Sequence, residues 1–372
     1  LVNTSKIQEN YFIQLDGIRF VAVSLVLVDH WLAERNVIPL GVLGVTMFFV
    51  LSGFLITRIL IQSKLKDEKT GRSPWFSVRQ FIVRRSIRIF PIYYLTIFLC
   101  VIFNVPPVRE QLIWCITYAT NIYIALNQRW MGVIDHLWSL AVEEQYYLFF
   151  PYVILFLPKR YFLKIFFGMI ALAVLLRLFL HLNHSDWMVQ YVLMPTSLDA
   201  FGLGALMAYF FTFHKESTFK TLSKTMYLLI SFGLYVSVLF YEKFGFENPH
   251  NIAYTVIERF FAALFCFFFI INAVTGYKGL AKVFFENGVV QYLGKISYGL
   301  YLYHNFVYNY YHTPQTSITL RILRKIHQYL PALADSFAFQ FFYFSALTIF
   351  VATLSWFLIE KPVNSLKRYF NY

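Results

Sequence analysis

Residues 38–62 read IPLGVLGVTMFFVLSGFLITRILIQ, a run in which Arg58 is the single charged residue. A helix rising 1.5 Å per residue over this length reaches roughly 37 Å, more than the ~30 Å hydrocarbon core of a bilayer. The run is therefore read as a membrane-spanning helix. Comparable apolar runs lie at 15–34, 86–104, 137–157, 163–182, 188–213, 225–242, 253–275, 289–311 and 337–359. The expected fold is an all-α integral membrane protein, a bundle of about ten transmembrane helices forming one domain over residues 1–372. The stretch 112–127 is short and holds Thr117, Thr120 and Asn121, so it is expected to be interfacial or re-entrant.

Composition agrees with lipid as the solvent. Of 372 residues 59% are apolar and 14% charged, more apolar surface than one water-soluble core hides. The net charge of +13 does not point to nucleic acid, because the Lys and Arg are spread among short loops and form no single stripe. With ten spans, Lys64, Lys66, Lys69, Arg72, Arg79, Arg84 and Arg85 collect on one side with Lys159, Arg160, Lys215, Lys220, Lys224, Lys278, Lys282, Lys361, Lys367 and Arg368. The positive-inside rule makes that side, and both termini, cytoplasmic. One loop breaks the pattern: Arg321, Arg324 and Lys325 fall on the outer side. Cys100, Cys115 and Cys266 stand in apolar runs and offer neither a disulfide framework nor metal-ligand spacing. The first run carries Arg19, Asp29 and His30 and no small-residue cleavage site, so it is expected to be a retained span.

Ionisable groups inside a span cost roughly 2.5–3.5 kcal/mol on insertion scales, so they turn toward the bundle interior or a wet cavity. Counting along each helix from its cytoplasmic edge puts His30, Glu143, Glu144, Arg177, Asp199 and His304 at similar depths, roughly 20–25 Å. From that shared depth we expect one polar chamber in the outer half of the membrane. The bland alternative is buried pairing, Arg177 with Asp199 for example, that ties helices together without chemistry.

Particular strings then carry a resemblance. They are Leu15-Asp16-Gly17-Ile18-Arg19-Phe20-Val21-Ala22 with ten residues between Arg19 and His30, Phe48 to Ile56 (FFVLSGFLI), and Arg85-x-x-Arg88 before Pro91 and Tyr93. Later come His136-x-Trp138-Ser139 running into Glu143-Glu144-Gln145-Tyr146-Tyr147, then Leu198 to Leu206 (LDAFGLGAL), Ser297 to His304 (SYGLYLYH), and Glu360-Lys361-Pro362. In this order the chain resembles, over essentially its full length, the acyltransferase-3 family of bacterial membrane acyltransferases. The resemblance implies transfer of an acetyl or other acyl group from acyl-CoA to a hydroxyl of a sugar in a cell-surface or lipid-linked glycan, in the bacterial inner membrane. Some members add an esterase-like domain; the sequence contains none, so the expected acceptor is one that needs no such domain.

For that chemistry a neutral imidazole is a suitable general base on a sugar hydroxyl, and His30 is the candidate. Glu143 and Glu144 point about 100° apart on a helix, so one of them is expected to face the chamber and orient His30. Which one is open. Arg85 and Arg88, with Arg84, offer guanidinium forks for the phosphates of coenzyme A. Ser52 and Gly53 are small enough to pass the pantetheine arm, and Arg19 joins this donor-binding set. His136, Asp199, Arg177 and His304 are the candidate acceptor contacts. A thioester donor supplies its own driving force, so neither a metal nor another cofactor is expected. The competing reading is a proton-coupled transporter or flippase of a polar or glycolipid substrate, since buried His, Glu, Asp and Arg also describe a proton relay. Broken helices in matching halves would favour it, and the sequence marks none clearly.

Overall fold

The computed structural model describes residues 11–32, 38–214, 216–245 and 250–370, and among them the regular structure is entirely helical. The chain opens with α1 (Ile13–Leu32), α2 (Leu40–Thr70) and α3 (Pro74–Ile102), then two short helices, α4 (Leu112–Ile116) and α5 (Thr120–Asn127). Next come α6 (Leu137–Phe156), α7 (Phe162–Leu182), the short α8 (Trp187–Val192), α9 (Leu198–Phe213), α10 (Glu216–Leu222) and α11 (Thr225–Gly245). The remainder is α12 (Arg259–Thr275), α13 (Gly279–Phe285), α14 (Gly288–Lys295), α15 (Ser297–Val307), α16 (Ile318–Tyr329), α17 (Pro331–Ala334), α18 (Phe337–Ser355) and α19 (Lys361–Ser365).

Among the described residues seven helical segments are long and apolar enough to cross a membrane: Leu40–Thr70, Pro74–Ile102, Lys159–Leu182, Met194–Phe213, Thr225–Gly245, Ala253–Thr275 and Phe337–Tyr369. The other three expected spans are also helical but more polar or interrupted. α1 carries Asp16, Arg19 and Asp29, α6 carries Glu143, Glu144 and Gln145, and the third is divided between α14 and α15. The polar helices are those that supply the interior.

Several boundaries differ from expectation for readable reasons. α2 runs on to Thr70, where Gly71 takes the left-handed conformation at φ 67° and its N–H returns to Asp67 O. On the extension, Lys64 is buried and donates to Leu155 O at 2.8 Å. α3 starts at Pro74, a residue suited to a helix's first turn, so Arg84, Arg85 and Arg88 lie well inside the helix and not at its mouth. The 188–213 run is broken: a 3₁₀ turn at Met194–Ser197, containing Pro195, separates α8 from α9. The 289–311 run breaks at Ile296 and stops at Val307, where Tyr308 is extended. Residues 112–127, expected to be re-entrant or interfacial, form α4 and α5 with Tyr118 at φ 52° between them.

The core sits where α2 crosses α9. A Cβ added at Gly53 would collide with the backbone of Phe201, and one at Gly204 with the backbone of Val50. Small residues here let two backbones touch, the usual way helices gain contact where lipid removes the hydrophobic incentive. α1 meets α14 in the same way, Gly294 lying directly on the Asp16 carbonyl. These crossings hold α1, α2, α6 and α15 around an interior cavity.

Candidate active site

A cavity of about 250 Å³ lies between α1, α2, α3, α6 and α15. Arg19, Arg85 and Arg88 line it together with Ser52, Glu143, Glu144 and Tyr147, and Val45, Phe48, Leu55 and Ile89 supply apolar walls. Arg88 keeps its surface turned into the cavity. The Arg85 guanidinium lies 5.0 Å from the centroid of the Tyr147 ring, a cation–π distance that holds the charge over the cavity wall. Arg19 is ion-paired to Asp16, which also accepts from Tyr11. Arg84, expected beside Arg85, is turned away: it donates to Lys367 O at 3.1 Å and Phe370 O at 2.7 Å, fastening the last described segment to α3.

Ser52 and Gly53, expected to act together, have different tasks. Gly53 is a packing residue against α9, whereas Ser52 Oγ donates to Glu143 Oε1 at 2.7 Å and lies 3.0 Å from the Tyr147 hydroxyl. Both glutamates line the cavity, against the expectation that only one would. A lining five helices deep surrounds α6 over a wider arc than 100°. Glu143 does not orient His30; its partner is Ser52, on the arginine side of the cavity. Glu144 Oε1 is buried with no hydrogen-bond partner among the described residues. It also borders a second cavity of about 190 Å³ with Arg85, Tyr118 and Tyr147.

The histidines form a network of their own at the other end of α1. His30 Nδ1 lies 2.7 Å from His304 Nε2 and 2.9 Å from Asn305 Oδ1. His304 Nδ1 lies 2.6 Å from the Tyr301 carbonyl, which accepts only, so that nitrogen carries the proton and His304 Nε2 is a lone pair. Asn305 Oδ1 is likewise an acceptor, because Asn305 Nδ2 donates to Asp135 Oδ1 at 2.9 Å and contacts His136 Nδ1 at 3.0 Å. Two acceptors thus face His30 Nδ1, which must be protonated. In neutral His30 the lone pair is then on Nε2, and Nε2 has no hydrogen-bond partner among the described residues.

Supporting partners complete the network. His136 Nε2 donates to Leu302 O at 3.0 Å, and His312 Nε2 lies 2.8 Å from Asp135 Oδ2. Asn309 Nδ2 donates to Asn305 Oδ1 at 3.0 Å. Although three imidazoles converge, no group of three or more His, Cys, Asp or Glu among the described residues is arranged to hold a metal ion. His304 and His136 turn their nitrogens on His30, on Asn305 and on backbone carbonyls.

Tyr301 and Ser139 stand between the cavity and the histidines. Both line the cavity, their hydroxyls are 2.5 Å apart, and Tyr301 OH also donates to His136 O at 3.1 Å. Behind that wall the Tyr301 ring lies 5.8 Å from His136 and 5.5 Å from His304, centroid to centroid. The arginines thus line the cavity, and the histidines lie behind its Tyr301 side.

Arg177 and Asp199 are elsewhere, and the single chamber expected from shared depth divides. Arg177 Nη2 donates to Asp199 Oδ2 at 2.6 Å and Nη1 to Thr196 O; both residues are buried, and neither lines the cavity or bonds to a histidine. Arg259 extends the cluster, donating to Ser197 Oγ at 2.7 Å and Gln190 O at 2.8 Å. The break before α9 frees the Thr196 carbonyl for Arg177, so these cations are solvated by interrupted backbone. Depth along a helix is legible from sequence; the direction in which the side chain leaves it is less so.

Sequence reading missed Asn305, Asp135, Tyr301, Asn309 and His312. Asn305 and Asp135 each adjoin a histidine that was singled out, and Tyr301 lies inside the string Ser297 to His304.

The family model for the acyltransferase domain matches residues 12–361. A Staphylococcus aureus (strain COL) protein provisionally named an O-acetyltransferase is 29% identical over 377 residues, covering 95% of this chain and 57% of the relative. The O-acetyltransferase OatA of S. aureus (strain NCTC 8325) is 28% identical over 383 residues with the same coverage, 95% and 57%. The chain thus spans a little over half the length of these relatives. No solved structure matches it. A family match running from α1 through Lys361, over the helices that carry the arginine cavity and the histidine network, means that the chain belongs to the acyltransferase-3 family of membrane acyltransferases.

Proposed function

We propose that this protein is a membrane O-acyltransferase that moves an acetyl or other short acyl group from acyl-CoA to a hydroxyl of a cell-surface or lipid-linked glycan. It does so in the bacterial cytoplasmic membrane, with ten spans and both termini in the cytoplasm. The observation that supports the reading is one of neighbourhood: Tyr301 lines the arginine cavity and packs against His136 and His304, whose network holds His30 with its Nε2 lone pair free among the described residues.

On this reading the coenzyme A phosphates rest on Arg85, Arg88 and Arg19, and the slender pantetheine arm extends along Ser52 and Glu143 toward Tyr301. The acceptor hydroxyl enters from the histidine end and gives its proton to His30 Nε2 as its oxygen attacks the thioester carbonyl. The imidazolium that forms keeps its Nδ1–H on His304 and Asn305, which spread the charge. Collapse of the tetrahedral intermediate breaks the C–S bond, and the departing thiolate receives the proton from His30. General-base help of this kind is worth about 10²–10⁴ in rate.

The test is release of free coenzyme A thiol from acetyl-CoA by the full chain in nanodiscs, with a panel of glycan acceptors. Acceptor-dependent release that disappears in His30→Ala supports transfer. No release with any donor, and unimpaired cellular function of His30→Ala, would replace it with the transporter reading.

A further inference from the structure

The three outer cations that broke the charge pattern lie on α16, the helix between the histidine-end loop and α18. At about 100° per residue its side chains divide into three stripes. Leu320 and Leu323 pack against the core. Ile318, Ile322 and Tyr329 form a second stripe that is exposed, at 73%, 43% and 83%. Arg321 and Arg324 form the third, Lys325 sits on its border with the apolar stripe, and all three are exposed. No Asp or Glu occurs from residue 312 to 334. A helix with one side on the bundle, one apolar side open and one cationic side open fits a single place: the line where protein, hydrocarbon and headgroups meet.

Its attachments fix that position. Tyr343 OH on α18 donates to Thr319 O at 3.0 Å, and Arg324 Nη2 donates to Gln315 O at 2.7 Å. Exposed Phe337 and Phe342 on α18 continue the apolar surface. Arg321 and Lys325 have no ion-pair partner among the described residues.

We infer that α16 is a docking surface for the phosphate headgroups of anionic lipids in the leaflet at the histidine end of the bundle. Ile318, Ile322 and Tyr329 enter the acyl region, and Arg321 and Lys325 take the phosphates. Each such cation near an anionic surface contributes about 1 kcal/mol of attraction, roughly fivefold in local lipid enrichment.

The test uses the full chain with Tyr329→Cys labelled by a fluorophore, since the three native cysteines are buried. Quenching is compared in nanodiscs carrying brominated phosphatidylglycerol or brominated phosphatidylcholine at equal fraction. Several-fold stronger quenching by the anionic lipid, falling to parity in Arg321→Gln/Lys325→Gln, is the expected result. Equal quenching by both lipids in the parent, or an anionic preference that survives the double change, would overturn the proposal. The readout is independent of acyl transfer.

Discussion

His30 Nδ1 sits 2.9 Å from Asn305 Oδ1, and this contact leaves Nε2 as the nitrogen that carries the lone pair of the neutral imidazole. Asn305 does so because both of its amide hydrogens are already directed to Asp135 and His136. Its oxygen therefore faces His30. His304 reinforces the choice through the Tyr301 carbonyl. His30 is held by His304 and Asn305, an arrangement that differs from the carboxylate–histidine pair expected of Glu143 or Glu144.

Asn305→Leu should therefore lower kcat for thiol release by about 10² while leaving KM for acyl-CoA nearly unchanged, since a mis-set tautomer harms the chemical step and not donor binding. Steady-state kinetics in nanodiscs separate the two. An equal rise in KM would place Asn305 in donor binding.

Arg88 and Arg84 make opposite predictions although four residues apart. Arg88 lines the cavity, so Arg88→Ala should raise KM for acyl-CoA by about tenfold to a hundredfold, the worth of a hydrogen bond to a charged group. Arg84 holds the carbonyls of Lys367 and Phe370, so Arg84→Ala should leave KM unchanged and loosen the C-terminal segment to limited proteolysis. If both variants raise KM alike, the phosphates lie outside the cavity.

Arg177 and Asp199 should behave as a structural pair. Removing one partner of a buried ion pair costs about 3–5 kcal/mol, because the other charge stays behind without compensation. Asp199→Leu should lower the midpoint of thermal unfolding in detergent sharply, and Arg177→Met/Asp199→Leu should regain much of the loss. The double variant should keep the parent's KM for acyl-CoA. A changed KM would return the pair to the substrate path.

The apolar runs made the helical bundle legible, because period and length alone specify a span. That several of the singled-out residues gather was legible too: Arg19, Ser52, Arg85, Arg88, Glu143 and Glu144 line one cavity together. What escaped was direction. Arg177 and His304 lie at similar depth, yet one is turned toward α9 and the other toward His30. Depth follows from a residue count, whereas azimuth depends on how each helix is rotated by its neighbours and on breaks such as that at Pro195. Asn305 and Tyr301 escaped for another reason: uncharged polar residues cost too little in a membrane helix to announce a site.

Tyr301 gives the last prediction. Its ring and its hydroxyl pairing with Ser139 separate the arginine-lined cavity from the histidines; on the proposed function the thioester would lie on one side of this wall and the base on the other. Such a wall also keeps water from the thioester. Tyr301→Ala should open it, and acetyl-CoA should then lose its acyl group to water: thiol release without any acceptor should rise several-fold while acceptor-dependent release falls. Tyr301→Phe keeps the ring and loses only the hydroxyl contacts, so it should leak little. Thiol release measured with and without glycan in the two variants distinguishes a ring that seals from a hydroxyl that takes part in transfer. Loss of acceptor-dependent release in Tyr301→Phe without any leak would assign the hydroxyl to the reaction itself.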